Sequence, residues 1–364
     1  MIVRIINRAT IVKLVVVMPT NSIHSRIPAE KTDVSVLGQS LKFRNGRAAQ
    51  NRFLKVRFHC FTMIELFQAA LSERLASYDT KDLSKRGVIS QRLVNVYDKW
   101  GNGKYGIVLT GNVHVDPEHL ESPGNIVFNK QNDCQQSREM ASKLANASKQ
   151  DGGLVIAQIS HGGRQTPYHV NPHPYSCSDI QLANFGKPIA LSEEQIKTDV
   201  VDKFLFTAKF ASEQGWRFTD YVFKCGFDFV ELSGGTYEQS AFMHKRESTR
   251  KREAFFLEFA EQLRPCFEKT VVYLTGGFRT APAMVRAIAD KATDGIGLGR
   301  PITAEPDLPA KILRGECLSA PDTKLDPDNF QLALQACLLQ MAQMGKHPLS
   351  ELRRCVCICI SLHF

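Results

Sequence analysis

Two stretches of the sequence place glycine directly after a short apolar run, and in one of them an arginine follows the glycine directly. In VVYLTGGFRT the run ends at a glycine pair, and in DGIGLGRP it ends at glycine and arginine. Glycine lets backbone amides approach an oxygen atom without a Cβ in the way, and arginine can hold a phosphate through two parallel hydrogen bonds. One such glycine pair could equally serve only to turn the chain. Two in succession predict a phosphate site formed by Gly276, Gly277, Gly299 and Arg300.

Apolar runs of strand length alternate with stretches of helix length along the chain. The strand-like runs cover 106–113, 154–161, 227–235, 271–277 and 295–299. The helix-like stretches cover 134–150, 192–215, 251–265 and 280–292, and Ser192 with Gln195 predicts a capping box at the start of the second. Because hairpin signals are missing between the runs, the order predicts parallel βα units. The predicted fold class is α/β, a (β/α) barrel whose chemistry lies at the carboxyl ends of its strands.

Composition limits the classes of function. The chain has 364 residues, 43% of them hydrophobic, and a net charge of +9, which suits an anionic cofactor as well as nucleic acid. The basic run HKRESTRKRE (244–253) is typical of a solvated loop and helix start, so we expect no nucleic-acid partner. No apolar run approaches the roughly 20 residues that span a bilayer, so we expect no membrane partner.

Cysteine spacing and the amino-terminal composition bear on the compartment. The ten cysteines show no C-x-x-C pair, which indicates free thiols in a reducing, cytoplasmic setting and predicts no metal site. Residues 1–29 contain basic residues and no acidic one, so a mitochondrial presequence is the alternative. We expect residues 1–34 to be a disordered extension.

Five motifs in the order they occur resemble the old yellow enzyme family of FMN-dependent NAD(P)H oxidoreductases. They are GIVLTGNVHVD, AQISHGGRQTP, FDFVELSGGTYE, VVYLTGGFRT and DGIGLGRP, and the similarity covers residues 35–350. The resemblance implies an eight-stranded TIM barrel with FMN at its carboxyl-terminal mouth. It also implies NADH or NADPH as the reductant and an electron-poor alkene, a small molecule, as the acceptor.

The resemblance assigns roles to individual residues. It implies that Gly276, Gly277, Gly299 and Arg300 hold the FMN phosphate and that Gln158 binds the pyrimidine side of the flavin ring. It further implies that Thr110 and Gly111 bring backbone close to the flavin, and that His161 is a structural partner of its loop. The segment that would contact the redox-active edge of the ring is Ala70, Leu71 and Ser72.

The sequence departs from the family pattern in the first strand. NRFLK (51–55) is separated from AALSE (69–73) by thirteen residues, 56–68, which would push a core strand out of register. The ends of this segment can be encoded by the start and end of an intron. We interpret it as an intron-like insertion, with a genuine looped insertion as the alternative.

A second departure follows Trp216, where the family's fourth and fifth strands have no counterpart. The missing segment would carry the His or His/Asn pair that binds the acceptor and the tyrosine that protonates it, so the catalytic residues are unknown. Residues 351–364 also leave the family pattern. We therefore predict an incomplete barrel with impaired activity. The alternative is a catalytically dead FMN-binding protein or a non-functional isoform.

Overall fold

A computed structural model describes residues 25–56, 58–59, 70–71, 73–216, 227–233, 257–323, 325 and 330–352. Short strands and helices alternate in these residues. The strands are β1 (Leu41–Lys42), β2 (Ala48–Ala49), β3 (Phe53–Lys55), β4 (Phe58–His59), β5 (Ala70–Leu71), β6 (Ile107–His114), β7 (Ile126–Val127), β8 (Leu154–Ser160), β9 (Tyr175–Ser176), β10 (Ile189–Ala190), β11 (Phe229–Leu232), β12 (Val271–Thr275) and β13 (Gly295–Leu298). The α-helices are α1 (Gln91–Gly101), α2 (Gln135–Ser148), α3 (Glu193–Gln195), α4 (Asp202–Glu213), α5 (Leu257–Leu263), α6 (Ala281–Ala289), α7 (Pro301–Ala304), α8 (Leu308–Leu313) and α9 (Phe330–Met344).

Seven strands form one parallel sheet: six follow the order β11, β12, β13, β3, β6, β8, and the two-residue β7 pairs with the carboxyl end of β6. The earliest of them in the chain, β3, lies between β13 and β6, which is how a barrel joins its first strand to its last. Within the described residues β8 and β11 share no ladder. The molecule is a curled, partial (β/α) barrel, and this opening agrees with the predicted incomplete barrel.

The two faces of the sheet carry different apolar clusters because side chains alternate along each strand. Leu54, Ile107 and Tyr273 face the barrel interior, where Leu41 of β1 and Phe43, which follows β1, pack against them. The opposite face of the sheet packs against the helices. Its members include Phe53, Val108, Val155, Val272 and Ile296 from the strands, with Leu93, Trp100, Leu144 and Met284 from the helices.

The predicted helices are found, with one difference inside the longest. Ser192 Oγ accepts the amide of Gln195, and the Gln195 side chain accepts the amide of Ser192, which confirms the capping box. Between α3 and α4 the helix widens to a π-helix over Ile196–Val201. The sequence pattern did not predict it. Of the predicted stretch 251–265, the described part forms α5.

Of the insertion 56–68 in the first strand, the structure describes Val56 and Phe58–His59. Val56 continues β3, since its amide donates to Leu298 O at 3.1 Å. Phe58–His59 and Ala70–Leu71 then pair with each other as an antiparallel two-residue ladder outside the barrel sheet. Residues 60–69 and Ser72 lie outside the described residues, as does the basic run 244–253.

The predicted amino-terminal extension reaches the body of the protein at its far end. Arg26 donates to both carboxylate oxygens of Glu305, at 2.7 and 2.9 Å, and to Ser319 O at 2.6 Å. Residues 1–24 and 353–364 lie outside the described residues. No helix in the described part of the chain is long and apolar enough to cross a bilayer.

Candidate active site

The glycines predicted to bind phosphate leave two neighbouring strands at the same edge of the sheet. β12 and β13 pair in parallel, with Thr275 opposite Gly297, so the residues that follow each strand emerge side by side. Gly276 and Gly277 have φ of +134° and +87°, a conformation that side-chain-bearing residues rarely adopt. Gly299 and Arg300 follow β13 directly. The structure therefore brings these four predicted residues to one edge of the barrel.

A β-bulge lies at two other predicted residues. Leu109 pairs with Ile156 and Asn112 with Gln158, so Thr110 and Gly111 of β6 stand opposite the single residue Ala157 of β8. The backbone amide of Gln158 donates to Thr110 Oγ1 at 3.0 Å, and the Thr110 hydroxyl donates to Gly111 O at 2.8 Å. Bulges are frequent beside active sites, where they redirect a side chain. This one joins Thr110, Gly111 and Gln158 at the carboxyl end of the sheet.

Among the described residues, the buried side-chain atoms that lack a hydrogen-bond partner include two on the interior side of the sheet. They are Gln158 Oε1 and Thr275 Oγ1, which lie near the carboxyl ends of β8 and β12. Alternation along each strand puts both side chains on the face that carries Ile156 and Tyr273. Most buried polar side-chain atoms in proteins have a partner, so such atoms at a strand end mark a place where a ligand can supply one.

The third predicted group, Ala70, Leu71 and Ser72, is not joined to the others by the described structure. Ala70 and Leu71 form β5, whose ladder partner is β4. Their predicted contact with a flavin ring stays a prediction.

Sequence reasoning missed a fully buried polar network beside the bulge. Lys55 Nζ lies 3.0 Å from Glu73 Oε1, and the Tyr97 hydroxyl donates to the same oxygen at 2.7 Å. Burial alone would raise the pKa of Glu73, but the Lys55 charge and the Tyr97 hydrogen bond outweigh it and lower the pKa, so the carboxylate is ionised. The one sequence signal was a lysine at the end of an otherwise apolar strand.

Gly111 is tightly packed against this network. A Cβ at Gly111 would overlap the Glu73 carboxylate, so the glycine is required by Glu73 whatever binds on the other side of the sheet. The pKa of Tyr97 is raised by burial and by the Glu73 charge, which keeps the phenol protonated as a donor.

A second cluster missed from the sequence lies beyond the carboxyl ends of β6 and β8. Asp116, His119 and His161 each offer one atom that could bind a metal, a carboxylate oxygen or an imidazole nitrogen, and these three atoms lie within 4.8 Å of one another. Lys203 Nζ lies 2.5 Å from Asp116 Oδ2. The spacing D-P-E-H was its only sequence signal. His161 contacts its own loop, as predicted, by accepting the Gly163 amide at Nδ1.

Hydrogen bonds in this cluster fix histidine tautomers that are unsuited to binding a metal ion. His119 Nε2 accepts the Tyr175 amide at 2.9 Å, so its proton is on Nδ1, which lies 3.1 Å from Asp116 Oδ2. His161 Nδ1 accepts a backbone amide, so its proton is on Nε2. A metal ligand needs a lone pair on nitrogen, and the Lys203 cation lies on the carboxylate. The cluster is better described as an ion-pair network than as a metal centre.

Comparison with characterised proteins identifies the family. No protein-family model matches the sequence. The NADH-dependent flavin oxidoreductase nadA of Aspergillus parasiticus is 32% identical over 402 residues, which cover 87% of this chain and 87% of that protein. The chain belongs to the NADH-dependent flavin oxidoreductases of the old yellow enzyme family. It is thus a member of a family of oxidoreductase enzymes, as the sequence resemblance predicted.

Solved structures agree on the fold of this old yellow enzyme relative. A 2-naphthoyl-CoA reductase in complex with 2-naphthoyl-CoA superposes with a TM-score of 0.62 at 15% identity, covering 86% of this chain and 58% of the reductase chain. The old yellow enzyme homologue from Zymomonas mobilis gives a TM-score of 0.53 at 15% identity, covering 81% of this chain and 98% of that chain. At such identities the likeness concerns the barrel fold alone.

Proposed function

We propose that this old yellow enzyme relative binds FMN at the carboxyl edge of its partial barrel and uses NADH as reductant. The observation that carries the proposal is the convergence at this edge of the positive-φ pair Gly276–Gly277, of Gly299–Arg300 and of Gln158 Oε1, which no described residue hydrogen-bonds. An anionic, amide-rich cofactor complements this set. Backbone amides and an arginine suit its phosphate, and a side-chain amide suits the pyrimidine part of a flavin ring.

The residues present fit such a cofactor. In the proposed complex the amides at 276, 277 and 299 and the Arg300 guanidinium hold the phosphate. The Gln158 side chain binds the ring, which gives its buried oxygen the partner it lacks. Thr110 is bonded to the backbone of Gln158 and keeps that strand end in place.

Bound FMN supplies the relay of hydride between a nicotinamide and a small acceptor, which we propose to be an electron-poor alkene. The chain's own share of the reaction is to orient the ring and to hold both partners against it. We propose that its second half is impaired, because the His pair and the tyrosine that the resemblance implies have no counterpart after Trp216. Two observations support a missing segment: β8 and β11 are not paired among the described residues, and the alignment with nadA is longer than this chain.

The open edge of the sheet also favours a second candidate, an FMN-binding protein without catalytic activity. Both candidates require the phosphate site, and they differ in whether NADH is consumed. Anaerobic mixing of the FMN-loaded chain with NADH separates them, because only the enzyme bleaches the flavin absorbance.

FMN binding itself is tested by titrating the purified chain into FMN and following the flavin fluorescence. We expect quenching that saturates at one FMN per chain and a raised melting temperature, since a ligand that binds only the folded state stabilises it. Riboflavin, which lacks the phosphate, is the matched control and should bind much more weakly. Equal affinity for FMN and riboflavin would remove the phosphate site from the proposal.

A further inference from the structure

The backbone of the Thr110–Gly111 bulge is held by side chains from two other elements. The Gly111 amide donates to the Tyr97 hydroxyl of α1 at 3.0 Å. On the other side of Thr110, the carbonyl oxygen of Leu109 accepts from Lys55 Nζ of β3 at 2.9 Å. A bulge disrupts the regular ladder, and here side-chain groups bond the backbone on both sides of the extra residue.

These side chains are joined to one another through Glu73. Its Oε1 accepts from Tyr97 at 2.7 Å and from Lys55 at 3.0 Å, and the exposed fractions are 0% for Tyr97, 2% for Lys55 and 5% for Glu73. Lys55 Nζ also lies 4.2 Å from the centre of the Trp100 ring, which limits where the ammonium can move. The network is buried, and it hydrogen-bonds the backbone at Leu109 O and at Gly111 N.

The bulge in turn sets the position of Gln158. Thr110 Oγ1 accepts a hydrogen bond from the backbone amide of Gln158 and donates one to the Gly111 carbonyl. A shift of Gly111 therefore moves the hydroxyl that holds β8 at Gln158. The Gln158 side chain, whose oxygen finds no partner within the described residues, extends from that backbone. Contacts therefore run without a break from Glu73 through Tyr97, Gly111 and Thr110 to Gln158.

We propose that Tyr97 and Glu73 are positioning residues, which fix the Thr110–Gly111 bulge and thereby direct the side-chain amide of Gln158 at the ring of the bound cofactor. The inference rests on the proposed FMN function. A purely stabilising role explains the network less well, because a buried ion pair gains little over apolar side chains of the same volume. The polar network makes directional hydrogen bonds to Leu109 O and Gly111 N, which apolar side chains could not make.

The test compares Tyr97→Phe with Tyr105→Phe. Tyr105 is also buried, at 1% exposure, and its hydroxyl also makes one backbone hydrogen bond, to Pro306 O at 2.8 Å. It precedes β6 at the opposite end from the bulge. We expect similar melting temperatures for the two variants. Only Tyr97→Phe should show faster amide hydrogen exchange in peptides covering 107–114, about tenfold weaker FMN binding and a shifted visible band of bound FMN.

Each outcome decides the inference. Equal exchange and equal FMN affinity in the two variants would overturn it, as would weaker binding in both. If the unaltered chain binds no FMN, the proposed function fails and the aim of Gln158 at a flavin fails with it, while exchange in the cofactor-free variants still decides whether Tyr97 fixes the bulge. If Tyr97→Phe does not fold, slow exchange of the Gly111 amide in the unaltered chain supports the network, and fast exchange refutes it.

Discussion

Gln158 Oε1 has no hydrogen-bond partner in the part of the chain that the structure describes, so we expect a substitution there to act in opposite directions on stability and on FMN binding. Leaving a buried polar atom unpaired costs about 1–3 kcal/mol, so Gln158→Leu should leave the free energy of unfolding of the cofactor-free chain unchanged or raise it. The same change should weaken FMN binding about tenfold. Chemical denaturation with and without FMN measures both effects. Loss of stability without FMN would contradict the unpartnered state of Oε1.

Arg300 follows β13 at the edge where the two glycine segments meet. Because a bidentate arginine–phosphate contact contributes about 1.5–3 kcal/mol, Arg300→Ala should weaken FMN binding roughly ten- to a hundredfold. Arg44, an exposed arginine in the segment between β1 and β2, provides the control with the same change of charge. Fluorescence titration should give equal affinities for Arg44→Ala and the unaltered chain. Equal FMN affinities for the two variants would remove Arg300 from the site.

His161 should make the stability of the fold depend on pH. Burial, with the nearby His119, lowers the pKa of His161 from 6.5 to about 3, and the other charged groups facing it are Asp116 and Lys203. The unfolded chain then binds more protons than the folded one between these values. Stability should therefore fall as pH falls from about 6.5 toward 3, by at most about 1.4 kcal/mol per pH unit from this group.

The check is a series of urea denaturations between pH 7 and 4 on the unaltered chain and on His161→Gln. Burial acts to raise the pKa of Asp116, but His119 and Lys203 outweigh it and lower that pKa, so this carboxylate loses its stabilising effect only at still more acidic pH. The slope of stability against pH should be smaller in the variant. Identical slopes would show that folding leaves the pKa of His161 near its ordinary value.

Among the elements, those whose sequence pattern is local were predicted and those that depend on distant contacts were not. The strands at 106–113, 154–161 and 271–277 and the capped helix at 192 were read from apolar runs and from Ser192 with Gln195, and they are confirmed. The bulge at Thr110 depends on Tyr97 and Lys55, which are far from it in sequence. The π-helix has no local signature in this chain, and we have no physical account of it.

The insertion between β3 and Glu73 provides a prediction at the scale of elements. Lys55 and Glu73 are bonded across it, and β3 already continues to Val56 before the chain leaves the sheet. Deleting residues 56–68 joins Lys55 to Ala69 and shortens the loop that this ion pair closes, which lowers the entropy cost of closing it. We expect a higher melting temperature and a higher soluble yield.

The matched control for the deletion replaces residues 60–68 by a Gly/Ser segment of the same length. This variant changes the loop sequence while keeping the loop length. It should melt close to the unaltered chain if length is what matters. A melting temperature that falls on deletion would show that the segment contributes to the fold, in line with a genuine insertion.

For the whole molecule, the opening between β8 and β11 predicts unequal effects on the two halves of the proposed reaction. Delivery of hydride to FMN needs no tyrosine, whereas reduction of an enone is aided by a proton donor and by groups that bind the carbonyl. We expect slow NADH oxidation by oxygen and very poor reduction of cyclohexenone by the FMN-loaded chain. Efficient enone reduction, followed by NADH absorbance under nitrogen, would mean that catalytic residues lie elsewhere in the chain.

The central place of β3 in the sheet has a consequence for the order in which the protein can assemble on the ribosome. The strands β3, β6 and β8 are complete once residue 160 has left the exit tunnel, whereas β11, β12 and β13 are made only later. Within the described sheet, the earlier strands (β3, β6, β7 and β8) meet the later three along the β3–β13 ladder alone, which joins residues 53–55 to 296–298. Contacts between such distant residues form slowly, so the edge of β3 must wait for most of translation with its backbone groups unpaired. We therefore expect a nascent chain of this protein to expose the free edge of β3 to chaperones long before the phosphate site exists.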